Sequence, residues 1–327
     1  MSGRWWTGSK GKRGVSTSEA FVKKSKGAGF VKQQRTSRSG YLFAALAAVL
    51  WASSGTAAKF LFNSGMTAFE LVQMRTTLAT GILFCWLMFH NRSLLAIERR
   101  DLPYFVTLGI GLAAVQFTYF FAISKIQVAA AILIQYQAPI FVALHTLLVL
   151  RVKLPPVVFA AMAGSLFGCY LVAGGYSLDL LHMNRAGVLV ALSSAVTFAW
   201  YTVRCEYGMR RYPPLTVVFY GLLFAAVVWN ILHPPLTAFL RPSGFAQWWW
   251  VLFIAFFGTV LAFICYNEGI NRIGAARTSI TATLEPITAG FIAWLLLAEQ
   301  MEVWQLLGAV LVIASVLLLQ IKGKDRD

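Results

Sequence analysis

The segment SITATLEPITAG, residues 279–290, lies inside a long apolar stretch, yet it contains Glu285 followed directly by Pro286. A carboxylate near the middle of a membrane-spanning helix costs on the order of 3 kcal/mol of insertion free energy, whereas a leucine offsets only about 0.5 kcal/mol. Proline removes a backbone hydrogen bond and kinks the helix. We therefore expect this face of the helix to turn toward the interior of a helix bundle rather than toward lipid.

The composition indicates that the chain forms such a bundle. Of the 327 residues, 58% are hydrophobic and 12% are charged, roughly half the charged fraction of a soluble domain. The apolar runs are about 20 residues long, which is the length that a helix needs to cross a bilayer. We predict an all-α polytopic membrane protein with ten transmembrane helices, at residues 41–62, 68–90, 103–122, 127–150, 157–174, 186–206, 214–235, 247–269, 276–298 and 303–321.

The net charge of +16 could suggest nucleic-acid binding, but its distribution favours a membrane. Basic residues concentrate in the segment 1–40, in the short loops on the same side of the membrane, and in the C-terminal segment 322–327. The positive-inside rule then predicts that both termini are cytoplasmic, and it favours a bacterial inner membrane. Residues 1–40 read as a disordered basic tail drawn to anionic lipid, although a start codon assigned too far upstream would leave a similar segment.

The two halves of the chain resemble each other at a fixed offset, without a gap. The residues that match are glycines, a tyrosine and a proline: Gly40 with Gly187, Gly111 with Gly258, Tyr119 with Tyr266, and Pro139 with Pro286. Five predicted helices fall in each half, over 41–174 and 186–321. Because five is odd, the second half enters the membrane in the opposite sense. This predicts two inverted five-helix repeats, an arrangement that recurs in secondary transporters with the binding site between the repeats.

Four segments carry a resemblance to a known family. They are LWASSGTAAKF (50–60), FELVQMRTTLATGILF (69–84), AISKIQVAAAILIQYQAPIFVAL (122–144) and NEGINRIGAARTSITATLEPITAGFIAWLLLAEQ (267–300). Over about residues 40 to 321 the chain resembles ten-helix EamA-type members of the drug/metabolite transporter superfamily. The resemblance implies alternating access without ATP hydrolysis, and it leaves the substrate open. One departure is that Ala138 stands at the first-half position that matches Glu285, so the acidic group is not symmetric.

Glu285 has three interpretations that the sequence leaves open. It could carry a coupling proton, bind a positive group of the substrate, or form a structural pair with a cation such as Arg75. On a continuous helix, Thr281 and Thr288 would share one face with it. The carbonyl groups freed by Pro139 and Pro286 could bind a cation or an ammonium group, or the two prolines could simply curve their helices.

Other polar residues in the predicted helices are candidates for binding or gating. Gln135 and Gln137 could hydrogen-bond a zwitterion, or could bond between helices. Trp51 and Tyr119 could stack on a substrate, or could pack in the core. The charged candidates are Arg75 and Lys59, which could attract carboxylates from the outer side, and Arg204 and Glu206, which mark the inner end of the sixth helix and could act in gating. Lys59 could equally snorkel to the interface.

Catalytic chemistry is not indicated. The four cysteines lie in apolar runs and are not spaced as metal ligands, and neither a nucleophile with a base nor a cofactor motif is present. We expect no enzyme activity, no cofactor and no metal.

We therefore expect a secondary transporter that exports small metabolites such as amino acids, with proton coupling. The alternatives are an uncoupled facilitator and a non-transporting receptor or scaffold. The expected partners are a small-molecule substrate, the lipid bilayer, protons and, through the small-residue stripe Ala160, Gly164 and Gly168, a second copy of the chain.

Overall fold

A computed structural model describes residues 37–123, 125–126, 128–177, 184–232, 234, 237–240, 244–297 and 302–322. The predicted basic tail over 1–40 lies outside these residues except for its last four positions. Most of the predicted C-terminal segment 322–327 lies outside them as well.

All regular structure in the described ranges is helical. The α-helices are α1 (Arg38–Asn63), α2 (Ala68–His90), α3 (Leu102–Ile123), α4 (Val128–Gln135), α5 (Ala138–Leu148), α6 (Pro156–Val172), α7 (Arg185–Gly208), α8 (Pro214–Leu232), α9 (Phe245–Ala255), α10 (Ala262–Ile273), α11 (Ala275–Thr281), α12 (Leu284–Leu297) and α13 (Val303–Lys322). A π-helical turn, Phe256–Leu261, joins α9 to α10.

These helices make ten membrane passes, which confirms the predicted architecture. Eight stretches of helix are long and apolar enough to cross a bilayer, and α6 is a shorter apolar helix. The remaining pass consists of α11 followed by α12. The fourth pass is likewise divided, into α4 and α5, and the eighth is continuous only through the π-helical turn. All three irregular passes contribute to the candidate site.

The two prolines start new helices, where the sequence predicted only kinks. The regular α-helical pattern is interrupted at Tyr136 and Gln137 before Pro139, and at Ala282 and Thr283 before Pro286. The interruptions are tight turns, in which Gln137 and Ala282 keep right-handed helical backbone angles. Proline is tolerated in the first turn of a helix because the backbone N–H groups there have no partner within the helix. The Ala282 carbonyl, expected to be free, accepts a hydrogen bond from the Glu285 backbone N–H at 3.0 Å.

The helices pack as two inverted repeats. In the first repeat α1 packs against α10 and α12 of the second, while in the second repeat α7 packs against α3, α4 and α5 of the first. A Cβ atom added to Gly40 would lie 2.6 Å from Cγ2 of Ile273, and one added to Gly187 would lie 2.6 Å from Cγ2 of Ile126. In each contact a glycine of one repeat packs against an isoleucine of the other, and the two contacts are related by the repeat offset. A pseudo-two-fold axis in the membrane plane requires this relation.

This exchange generates a prediction about stability. Gly40→Ala and Gly187→Ala should each lower the melting temperature of the purified protein in detergent, because each forces a methyl group against an isoleucine. The expected cost is about 1 to 3 kcal/mol, and it should be similar for the two variants.

Gly81→Ala is the control, since no described atom lies within 4 Å of a Cβ atom at Gly81. This variant should be no less stable than the wild type. A loss of stability in only one of the two repeat-related variants would contradict the exchanged packing.

Candidate functional site

The break in the ninth pass changes the environment of Glu285. Because α12 begins at Leu284, Glu285 lies in the first turn of a helix and not in its middle. The N-terminus of a helix carries a partial positive charge, which stabilises a carboxylate. A membrane-embedded acid is therefore accommodated by the fold at this position, which reasoning from a continuous helix did not foresee.

The break in the fourth pass supplies a partner for Glu285. The side chain of Tyr136, which lies between α4 and α5, hydrogen-bonds to the Glu285 carboxyl group. The two breaks match across the repeats, and they bring together an acid from the second repeat and a phenol from the first. Arg75 of α2 and Tyr119 of α3 also interact electrostatically with Glu285.

The π-helical turn fixes the position of Arg75. The Arg75 Nε atom donates to the Thr259 hydroxyl oxygen at 3.1 Å, and Nη2 donates to the Gly258 carbonyl oxygen at 3.3 Å. The Thr259 hydroxyl in turn donates to the Ile254 carbonyl at 3.0 Å. Two of the three guanidinium nitrogen atoms are thus held by the eighth pass, while the same group interacts with Glu285 of the ninth.

The members of this cluster border a space within the bundle. Arg75, Tyr119, Tyr136 and Glu285 are each half-buried, and they project from four different passes toward one another. A guanidinium or carboxylate with its accessible surface against lipid would be costly. We infer that the accessible parts of these side chains face an interior, hydrated space. We call these four residues the polar cluster.

The threonines predicted to share a face with Glu285 are placed differently. Thr281 is buried, and its hydroxyl donates to the Arg277 carbonyl at 2.8 Å. Thr288 donates to the Leu284 carbonyl at 3.0 Å. The tight turn at Ala282 and Thr283 lies between Thr281 and Glu285 and changes the helical period there, so the predicted common face is not the face of one continuous helix. A role for either threonine at the site stays a prediction.

The glutamines beside Pro139 are half-buried, and Tyr136 between them reaches Glu285. The Gln137 side-chain amide donates at 3.4 Å to the Leu133 carbonyl of its own pass. The sequence drew attention to this polar stretch but favoured Gln135 and Gln137 within it. The signal that points to Tyr136 is its place in the helix break, which periodicity alone does not reveal.

Trp51 belongs to an aromatic cluster between the repeats. Its ring centroid lies 5.0 Å from that of Tyr266 and 5.5 Å from that of Phe263. Tyr266 is fully buried, and its hydroxyl lies 2.9 Å from that of Thr202. Trp51 itself is half-buried. Part of the Trp51 side chain therefore packs in the core, and the rest of it is accessible.

Of the gating candidates at the inner end, Arg204 is surrounded by aromatic rings. The Arg204 guanidinium lies 4.6 Å from the ring centroid of Tyr104 and 5.3 Å from that of Tyr207, and the Tyr104 hydroxyl donates to the Arg204 carbonyl at 2.5 Å. Glu206 is half-buried and interacts within the chain. The side chain of Lys59 lies outside the described set, so gating by these residues stays a prediction.

The small-residue stripe of α6 is used within the monomer. Gly164 packs closely against Ser315, and Gly168 packs against Gly308 and Val312 of α13. Ala160, the third member, is exposed. The two glycines are therefore not available to a second copy of the chain. Within the ranges that the structure covers, no group of three or more His, Cys, Asp or Glu residues could hold a metal ion.

Comparisons with known proteins agree with this architecture. The model of the EamA-like transporter family matches residues 38–174 and again residues 185–321. A solved crystal structure superposes with a TM-score of 0.73 over 88% of this chain and 98% of that chain, at 18% sequence identity. At that identity the likeness concerns the fold alone.

Three curated relatives are similar along most of their length. The uncharacterized inner membrane transporter YicL of Salmonella typhimurium is 27% identical over 300 residues, covering 89% of this chain and 98% of the relative. The pseudopaline exporter CntI of Pseudomonas aeruginosa PAO1 is 24% identical, covering 85% and 94%. The uncharacterized transporter YyaM of Bacillus subtilis is 25% identical, covering 74% and 81%. The chain belongs to the EamA-like transporter family and is a multi-pass inner membrane transporter.

Proposed function

We propose that this transporter exports small zwitterionic metabolites such as amino acids, in exchange for protons, by alternating access. The observation that carries the proposal is the polar cluster, in which Arg75 of the first repeat and Glu285 of the second interact electrostatically inside the membrane. Opposite charges at one depth match the two charges of a zwitterion.

The chemistry of the two groups assigns an end of the substrate to each. A guanidinium binds a carboxylate through parallel hydrogen bonds, so Arg75 is suited to the substrate carboxylate. Glu285, assisted by Tyr136, is suited to the ammonium group. In the empty transporter the two side chains neutralise each other, which avoids leaving an unpaired charge inside the membrane.

The same pair provides a physical basis for exchange. If Glu285 binds either a proton or the substrate ammonium, but not both, each can leave only when the other is available on that side. An inward proton gradient then drives export of the substrate. The repeats support this cycle, because two inverted halves that exchange conformations produce inward-open and outward-open states of similar energy.

The export direction and the orientation rest on separate support. A relative that covers 85% of this chain is named an exporter. Lys and Arg concentrate in the segments that share a side with the N-terminus, which favours cytoplasmic termini. The α6 stripe is occupied by α13, so a homodimer would need another surface.

The first prediction of the proposed function concerns Glu285. In liposomes loaded with labelled amino acids, the wild type should show efflux that an inward proton gradient accelerates. Glu285→Gln keeps the size and the hydrogen bond to Tyr136 but removes the charge, and it should lower this gradient-driven efflux at least tenfold.

Either of two other outcomes would contradict part of the proposal. Efflux that responds to neither the gradient nor the substitution would identify an uncoupled facilitator with a structural Glu285. The absence of flux across a wide panel of solutes, in protein with a normal melting temperature, would favour a receptor or scaffold.

The second prediction concerns the anchor of Arg75. Thr259→Val keeps the shape of the side chain and removes the hydroxyl, so Arg75 loses a hydrogen bond of the charged type, worth roughly 1.5 to 3 kcal/mol. The expected result is a KM for transport raised about tenfold or more, with a smaller change in the maximal rate.

Thr259→Ser is the matched control, because it restores the hydroxyl and should restore the KM. Equal KM values for the valine, serine and wild-type proteins would show that Arg75 does not need this anchor to bind substrate.

A further inference from the structure

Gly55 is an unexplained glycine in the middle of the first pass. It lies within α1, it is exposed, and no described atom lies within 4 Å of a Cβ atom built on it. Glycine in a helix interior costs about 1 kcal/mol relative to alanine. Close packing, which explains Gly40 in the same helix, does not apply to Gly55. Another reason for the missing side chain is needed.

The open side of Gly55 faces the bundle, not the lipid. Four of the five exposed large apolar residues of α1, namely Leu42, Leu46, Val49 and Phe60, form one row along the helix. Successive residues of an α-helix are rotated by about 100°, which places Leu46 about 180° from Gly55 and the other three at least about 120° away. The fifth, Phe62, lies only about 20° from Gly55 but two turns further along, near the end of α1. The buried residues Ala44, Ala48 and Ala52 lie within about 60° of Gly55. At its own depth, the side of α1 that carries Gly55 therefore faces the bundle.

This space lies at the depth of the polar cluster. Ser54, the residue before Gly55, packs directly against Gly258. The Gly258 carbonyl accepts a hydrogen bond from Arg75, which interacts with Glu285. The helix that begins beside Glu285, α12, also packs against α1. The open side of Gly55 thus lies at the same depth in the bundle as the two charged groups.

The second repeat fills the equivalent position with protein. Thr202 matches Gly55 at the repeat offset, and Tyr266 matches Tyr119. Thr202 and Tyr266 are both fully buried, with their hydroxyl groups 2.9 Å apart. The open space therefore occurs in the first repeat, where Gly55 has no side chain, and not at the equivalent position of the second repeat.

We propose that the space beside Gly55 is the subsite for the substrate side chain, and that its size sets the largest side chain that is transported. The inference rests on the proposed function, in which Arg75 and Glu285 bind the two charges of the substrate. Trp51 lies one turn before Gly55 on α1 and is half-buried, so its ring supplies an apolar wall. The substrate class is α-amino acids with bulky apolar side chains, aliphatic or aromatic.

The test is a size series at position 55, with efflux of labelled alanine, leucine and phenylalanine from liposomes. Gly55→Leu should retain efflux of alanine and reduce that of leucine and phenylalanine at least tenfold. Gly55→Ala, a smaller change, should reduce phenylalanine efflux more than leucine efflux. The melting temperatures should match or exceed that of the wild type, because no described atom lies within 4 Å of the added Cβ and both alanine and leucine favour a helix more than glycine does.

Gly81→Leu is the matched control. Gly81 is also an exposed glycine in a helix interior with no described atom within 4 Å of an added Cβ, but its neighbours one turn away, Phe84 and Cys85, are exposed as well. It therefore faces lipid, and its substitution should leave efflux of all three amino acids unchanged.

The outcomes separate this inference from the proposed function. If the wild type exports none of the three amino acids, the proposed function fails. If the wild type exports them and Gly55→Leu changes none of the three rates, the subsite is overturned. Equal loss of all three rates in stable protein would also overturn it, since the space would then be a common passage and not a pocket for the side chain.

Discussion

A guanidinium and a carboxylate inside a membrane constrain everything around them. Neither Arg75 nor Glu285 can face lipid without a large cost, and removing either partner leaves a charge without compensation. Three irregular passes of the fold accommodate these two groups. One places Glu285 at a helix N-terminus, one presents Tyr136 to it, and one provides the π-helical turn whose Thr259 and Gly258 hold Arg75.

The frame is symmetric, but its chemistry is not. The packing contacts at Gly40 and Gly187 are exchanged between repeats almost identically, whereas the repeat partners of Glu285 and Arg75 are Ala138 and Leu222. Symmetry of the backbone suits alternation between two states of similar energy. Asymmetry of the side chains confines the charged groups to one location, so both states would act on a single site.

Much of the architecture could be predicted from the sequence, because hydrophobic run length and the repeat offset are local properties. The ten passes, the inverted repeats and the family are confirmed. The details of the site could not be derived in this way. Helical periodicity assumes a continuous helix, so it grouped Thr281 with Glu285 across a break, and it could not separate Tyr136 from the glutamines beside it. The anchoring of Arg75 by Thr259 joins residues 184 positions apart, and only packing reveals it.

The central claim is that the polar cluster borders a hydrated space that receives substrate. The most direct measurement replaces Cys85, Cys169, Cys205 and Cys265 with alanine, introduces Gly55→Cys or Gly81→Cys, and follows labelling by a membrane-impermeant maleimide. The account predicts that position 55 reacts and position 81 does not. It also predicts that leucine protects position 55 when Glu285 is present, and does not protect it in a Glu285→Gln background. An unreactive position 55, or protection that is independent of Glu285, would contradict the account.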